Sequence, residues 1–155
     1  MMDIDLLPSP DLKCRNYEEL LSKLAEILLK KGYVKKSYPK ALIEREKRFP
    51  TGLELKEGVN IAIPHADAEH VKKSAILIAK LSKPVIFSHM VESEKKIPVD
   101  VVFLLAIDDP HRLIKLLREL ATMFQDPDAL KKIKTASSSK EIIKFLKERF
   151  KLNNE

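Results

Sequence analysis

Two of the chain's four histidines fall in one short stretch, Asn60 to Val71, "NIAIPHADAEHV". An apolar run stops there at Pro64, whose ring fixes φ and removes a ladder donor. His65 follows at once and is thrown onto the rim of a sheet, where ligands of open α/β sheets gather. Three readings compete for the stretch: a metal site, a nucleophilic histidine and an ordinary polar loop. His65, Asp67 and His70 supply types that ligate metals. Their spacing matches no zinc signature and no cysteine assists, so no metal is expected. Asp67 and His70 otherwise read as a cap pair opening the turn that follows.

Two residues elsewhere change the weight of His65. His111 falls at the second position of a helix after a long apolar run. A helix N-terminus offers free N–H groups and the positive end of the dipole, which attract anions and disfavour an imidazolium. Arg45 lies four residues from Ala41 and Phe49 and three from Leu42, so it points to the packed side of its helix. There it needs an anionic partner, either a carboxylate of the chain or a bound anion. His89, in "FSHMVESEKK", reads as an exposed loop residue. Cys14 has no helix start or basic pattern beside it and reads as inert.

These residues must be held by a folded domain, and the composition provides for one. The chain has 155 residues, 45% hydrophobic and 34% charged, which suits one soluble domain with one core. Three glycines leave no room for a glycine-rich phosphate loop. The net charge of +6 comes from lysines mixed with glutamates, without a basic stripe or interleaved aromatics, so nucleic acid is not an expected partner. A single cysteine excludes a disulfide framework and a cysteine-based zinc site. The acidic N-terminus is no signal peptide, and no apolar run is long enough for a bilayer. A cytoplasmic protein is expected.

The periodicity predicts the elements. Asn16 caps a helix over 17–31, with Glu19 in capping-box position and Gly32 at its end. A second helix starts near Pro39 and stops before Pro50, with a narrow apolar face of Ala41, Leu42 and Phe49. Strands are expected in "VNIAI", "SAILIAKL" and "VDVVFLLAI", with a minor one at "PVIF". The second and third are apolar on both faces, which requires helices on both sides of the sheet. Asp109 and Pro110 open a helix with the stripe Leu113, Leu116, Leu117, Leu120 and Phe124. Asp126-Pro127 opens another, and Ser138 with Glu141 boxes the last one. The layout is a compact three-layer α/β domain.

At this level of detail the chain resembles a known family. "TGLELKEGVNIAIPHADAEHV" resembles the phosphohistidine segment of enzyme IIA proteins of the bacterial sugar phosphotransferase system, fructose–mannitol class. "LIERE", "LSKPVIF", "VDVVFLLAIDDPHRLIKLL" and "QDPDALKKI" resemble further family segments in the family's order, over roughly residues 15–150. The resemblance implies an α/β/α sandwich with a mixed sheet, as one domain over 1–155 with loose ends at 1–14 and 151–155. It implies that His65 is phosphorylated, that His111 is the second active-site histidine and that Arg45 and Thr51 serve the phosphate. Asp67 and His70 are supporting candidates. The implied reaction takes a phosphoryl group from HPr to an enzyme IIB, without a cofactor, touching the membrane only through the IIC transporter. "FPTGL" and "IPHADAEHV" look most like the galactitol branch, from whose threonine Ala66 departs. A regulatory, nitrogen-related IIA is the nearer alternative. A metal- or ligand-binding domain without turnover is the more distant one.

Overall fold

The structure, a computed structural model, describes residues 3–153. Five strands, β1 (Asp5–Pro8), β2 (Gly52–Glu54), β3 (Asn60–Ala62), β4 (Ala75–Ser88) and β5 (Lys96–Ala106), form one sheet in the order β1-β4-β5-β3-β2. β1 runs parallel to β4 and β3 parallel to β5, while β4–β5 and β2–β3 are antiparallel. The sheet is therefore mixed, as the family resemblance implied. The helices are α1 (Tyr17–Lys30), α2 (Tyr38–Arg48), α3 (Pro110–Met123), α4 (Pro127–Thr135) and α5 (Ser139–Asn153).

The double-sided apolar pattern of β4 and β5 is explained by the layers. Leu77 and Ala79, opposite Leu104 and Val102, pack with Leu20, Leu24 and Leu28 of α1 and Leu42 of α2. Ile76 and Ile78, opposite Leu105 and Phe103, pack with Leu116, Leu120, Leu130 and Ile142 of α3, α4 and α5. Side chains alternate across a strand, so each of these strands feeds both cores. Each fully buried leucine or isoleucine contributes about 1.5–3 kcal/mol, which makes these two strands the main anchor of the fold.

Local signals place the helix ends. Asn16 accepts the Glu19 N–H at 2.9 Å, and Gly32 closes α1 at φ 82°, where a glycine costs nothing. Glu19 turns its carboxylate to Arg15 instead of completing a capping box. Asp109 caps α3 and Asp126 caps α4. At α5 the Ser138 hydroxyl accepts the Glu141 N–H, while the Glu141 carboxylate reaches the N–H and hydroxyl of Ser137.

Three expectations need correction. Residues 5–8 are not a loose end: they form the edge strand β1 on β4, although four residues carry little pattern. At the other end α5 continues to Asn153. "SAILIAKL" and "PVIF" are one strand, β4, with a register shift between Lys80 and Val85 that absorbs Pro84, a residue with no N–H to give. The buried face of α2 is Tyr38, Leu42 and Glu46, whereas Phe49 is 56% exposed. Strand β2 escaped the sequence reading because it has three residues. Gly52 in it lies so close to β4 that a Cβ would stand 2.6 Å from the Ser88 carbonyl oxygen.

Candidate functional site

β3 ends at Ala62, and beyond Pro64 the chain pairs once more with β5. His65 stands opposite Leu105 in parallel register, and the Leu105 N–H donates to the Pro64 carbonyl at 3.0 Å. The Leu105 carbonyl accepts the buried Tyr38 hydroxyl at 2.9 Å. His65 is thus fixed to the C-terminal end of β5 by backbone, and the same residue of β5 is tied to α2.

The ring of His65 is half-buried, and its Nδ1 lies 2.9 Å from the Ile63 carbonyl oxygen. A carbonyl can only accept, so Nδ1 carries the proton and Nε2 keeps a free lone pair. Burial moves the imidazole pKa below its ordinary value. The Ile63 hydrogen bond opposes this, Arg45 adds to it and Asp67 opposes it, with burial the largest effect. A neutral imidazole with a defined tautomer is the form in which histidine acts as a nucleophile.

Arg45 lies in the last turn of α2. Its Nη1 stands 3.8 Å from Asp67 Oδ1, a loose pair with a carboxylate that is 73% exposed. The guanidinium also lies over the Phe49 ring, 5.4 Å from its centroid. Its Nε is buried with no hydrogen-bond partner among the described residues, a donor without an acceptor. Arg45, Arg48, Phe49, Ala66, Asp67 and His70 line a cleft of about 650 Å³. His65 stands beside this cleft rather than in its wall.

Asp67 heads the short 3-10 turn Ala68–His70, but its side chain caps nothing there; it faces Arg45 instead. His70 places Nδ1 2.8 Å from the Ser37 hydroxyl, and its carbonyl accepts the Lys35 N–H. His70 therefore ties the post-His65 loop to the start of α2, so the cap-pair reading fails for both residues. Among the described residues no three His, Cys, Asp or Glu side chains lie close enough to hold a metal ion.

The Thr51 hydroxyl is engaged within the chain. Thr51 is buried, its hydroxyl donates to Glu46 Oε1 at 2.8 Å, and Thr51 Oγ1 in turn accepts the Ile63 N–H at 3.2 Å. The Thr51 N–H donates to Glu46 Oε2 at 2.7 Å. Glu46 was not singled out in the sequence. It is 4% exposed, and burial pushes its carboxyl up to about 7, against the two Thr51 hydrogen bonds and Arg45. Phasing α2 on Tyr38 and Leu42, four residues apart, would have placed Glu46 inside.

His111 occupies the second position of α3, as expected, and its side chain is exposed. The Asp109 carboxylate takes the His111 N–H at 2.9 Å, so this first-turn donor is spent inside the cap. No hydrogen bond or ion pair joins the His111 ring to another described residue. It shares with His65 the same end of β5. His89 accepts the N–H groups of Val91 and Glu92 on Nδ1, each at 3.0 Å, and so pins its own loop. Cys14 is buried, which raises its thiol pKa and keeps it protonated.

A family model described as the phosphoenolpyruvate-dependent sugar phosphotransferase system, EIIA 2, matches residues 5–149. The chain belongs to this EIIA family. Its members are phosphotransferases that carry a phosphohistidine. The galactitol-specific EIIA component of Escherichia coli K12 is 37% identical over 117 residues, covering 76% of this chain and 77% of that protein. A nitrogen regulatory protein of Bradyrhizobium diazoefficiens is 30% identical over 131 residues, covering 83% and 78%. The solved complex of mannitol enzyme IIA with phosphorylated enzyme IIB from Escherichia coli matches with a TM-score of 0.68 at 24% identity, over 93% of this chain and 94% of that one. At that identity the likeness is one of fold. The EIIA chain has no helix, among its described residues, long and apolar enough to cross a membrane.

Proposed function

We propose that this EIIA chain carries a phosphoryl group on Nε2 of His65, taken from HPr and handed to an enzyme IIB for uptake of galactitol or a related polyol. The observation that carries the reading is the Nδ1–H bond to the Ile63 carbonyl, which leaves Nε2 as the nucleophile. The Nε2 lone pair attacks phosphorus, a new N–P bond forms, and the bond to the donor breaks with its electron pair leaving on the donor. The proton on Nδ1 stays where it is. In the second step a cysteine thiolate of the IIB attacks the same phosphorus, and Nε2 takes back its pair.

Little covalent chemistry is asked of the protein, so positioning and charge stabilisation do most of the work. Arg45 brings an unpaired donor and a full charge next to His65, and its grip on Asp67 is loose enough to be exchanged for a phosphoryl oxygen. His111, at the same end of β5, supplies a second donor once a phosphoryl group is present. The polyol assignment is supported by the similarity to galactitol-specific EIIA components. The similarity to a nitrogen regulatory protein supports a regulatory EIIA as the second reading. A cytoplasmic location follows from a role between soluble carriers and the membrane transporter.

The deciding experiment is incubation with phosphorylated HPr, followed by mapping of the label. Acid-labile phosphate on His65, chased by a galactitol-type IIB faster than by mannitol or fructose IIB, is the expected result. Equal or better transfer to the other IIB proteins overturns the sugar and leaves the carrier role. Chase by none of them favours the regulatory reading.

A further inference from the structure

We infer that Glu46 is a positioning residue for phosphoryl transfer: through Thr51 and the Ile63 backbone it holds the His65 ring in its Nδ1–H form. The inference rests on His65 being the phosphorylated residue and adds how the chain fixes that nucleophile.

The connection is continuous. The Glu46 carboxyl accepts both the N–H and the hydroxyl of Thr51, at 2.7 and 2.8 Å. Above about pH 7 the Glu46 carboxyl is ionised and has no proton to give, so the Thr51 hydroxyl proton points to it, and the lone pairs of Oγ1 are left for another donor. That donor is the Ile63 N–H, at 3.2 Å. Ile63 is the last residue before Pro64, and its carbonyl receives His65 Nδ1 at 2.9 Å. Ile63 lies past the last ladder residue of β3, Ala62. Without Thr51 its N–H would be a buried donor without a partner, and the φ of Ile63, which aims the carbonyl at His65, would lose that constraint.

A purely structural role explains the arrangement less well. A buried carboxyl is a costly way to pin a loop, and an apolar side chain of similar volume packs more cheaply. Here both carboxyl oxygens are aimed at one residue, and that residue passes the constraint on in the direction of the nucleophile. Arg45, the next residue on α2, flanks His65 as well. One helical turn thus sets both the tautomer of the nucleophile and the charge beside it.

The test uses the full chain with ring-labelled histidine. In the parent, ¹⁵N spectra at pH 7.5 should show His65 with a pyrrole-like Nδ1 and an unprotonated Nε2. Thr51→Val and Glu46→Leu should give a mixture of tautomers and slow phosphorylation by phospho-HPr by tenfold or more in kcat, with KM for the donor little changed. Thr51→Ser and Glu46→Gln keep an acceptor for the Thr51 N–H or a hydroxyl for the Ile63 N–H, and should recover most of both. Parent-like tautomer and kcat in folded Thr51→Val would overturn the inference. So would a Thr51→Ser or Glu46→Gln variant as impaired as the apolar ones. The tautomer is read without any partner. A chain phosphorylated elsewhere than His65 would therefore defeat the carrier reading, while the ring spectra still decide the role of Glu46.

Discussion

The dipeptide Pro-His occurs twice, at Pro64-His65 and at Pro110-His111, and the two histidines have opposite surroundings. At the first, proline ends a strand, and the following ring is half-buried, bonded to Ile63 and held against β5. At the second, proline opens a helix, and the following ring is exposed with no bond to another described residue. The same two residues therefore yield a ring held by backbone in one place and an exposed, unbonded ring in the other. What separates them is the neighbouring backbone. Ile63 offers a carbonyl to its ring, whereas the Asp109 carboxylate engages only the main-chain N–H of His111.

The contrast is broken most directly by His65→Ala, which should abolish labelling by phospho-HPr. Its melting temperature should move little, because one ring hydrogen bond contributes only about 1 kcal/mol. Labelled His65→Ala would show that the wrong Pro-His was chosen. Arg45→Ala should slow transfer by about 10²–10³-fold, the usual effect of removing one preorganised donor. Its urea midpoint should stay close to the parent's, since the Asp67 pair is loose and exposed. A smaller loss, about tenfold, is expected for His111→Ala, because in the free chain no bond to another described residue preorganises its ring. If His111→Ala is as severe as Arg45→Ala, the His111 ring is fixed once phosphate is bound, and the contrast holds for the free chain alone.

The pH dependence of stability sharpens the same comparison from beneath the site. The Glu46 carboxyl titrates at about 7 in the fold, above its ordinary 4.5. The folded state therefore holds a proton that the unfolded chain has released. That contribution is complete below about pH 4.5 and is lost as pH rises through 7, by up to roughly 3 kcal/mol. His65 works in the opposite sense: its lowered pKa favours the fold above its ordinary value and is a cost as pH falls below it. Urea midpoints between pH 5 and 8 should therefore fall less steeply with pH in Glu46→Gln than in the parent. A parallel pair of curves would mean that Glu46 is ionised throughout. The smallest effect belongs to His89→Ala and His70→Ala, which should still be labelled at His65, because their rings bond loop groups and not the nucleophile.

Much of this was legible in the sequence because it depended on local chemistry. Asn16, Asp109 and Asp126 cap helices wherever they stand before an apolar repeat, and Pro64 ends a strand whatever lies beside it. The double-sided runs in β4 and β5 required two helical layers, since no other arrangement keeps both faces from water. The same reasoning put Arg45 near the packed side and His65 on a rim. It went wrong where a partner distant in sequence decides. β1 and β2 are too short to carry a pattern and exist because β4 and β3 offer them open edges. Thr51, which the family resemblance assigned to the phosphate, is a different case: Glu46 is only five residues away, but it is the packing of α2 that turns Glu46 inward to meet it.

Periodicities, caps and the order of the longer elements follow from the sequence alone, because each is set by torsions and burial within a few residues. Which His65 nitrogen is free, where the Arg45 donors point and how Glu46 is held were not legible in that order. Ile63 is only two residues from His65 and Thr51 only five from Glu46, but each bond needs distances and angles that the packing of α2 against the sheet sets.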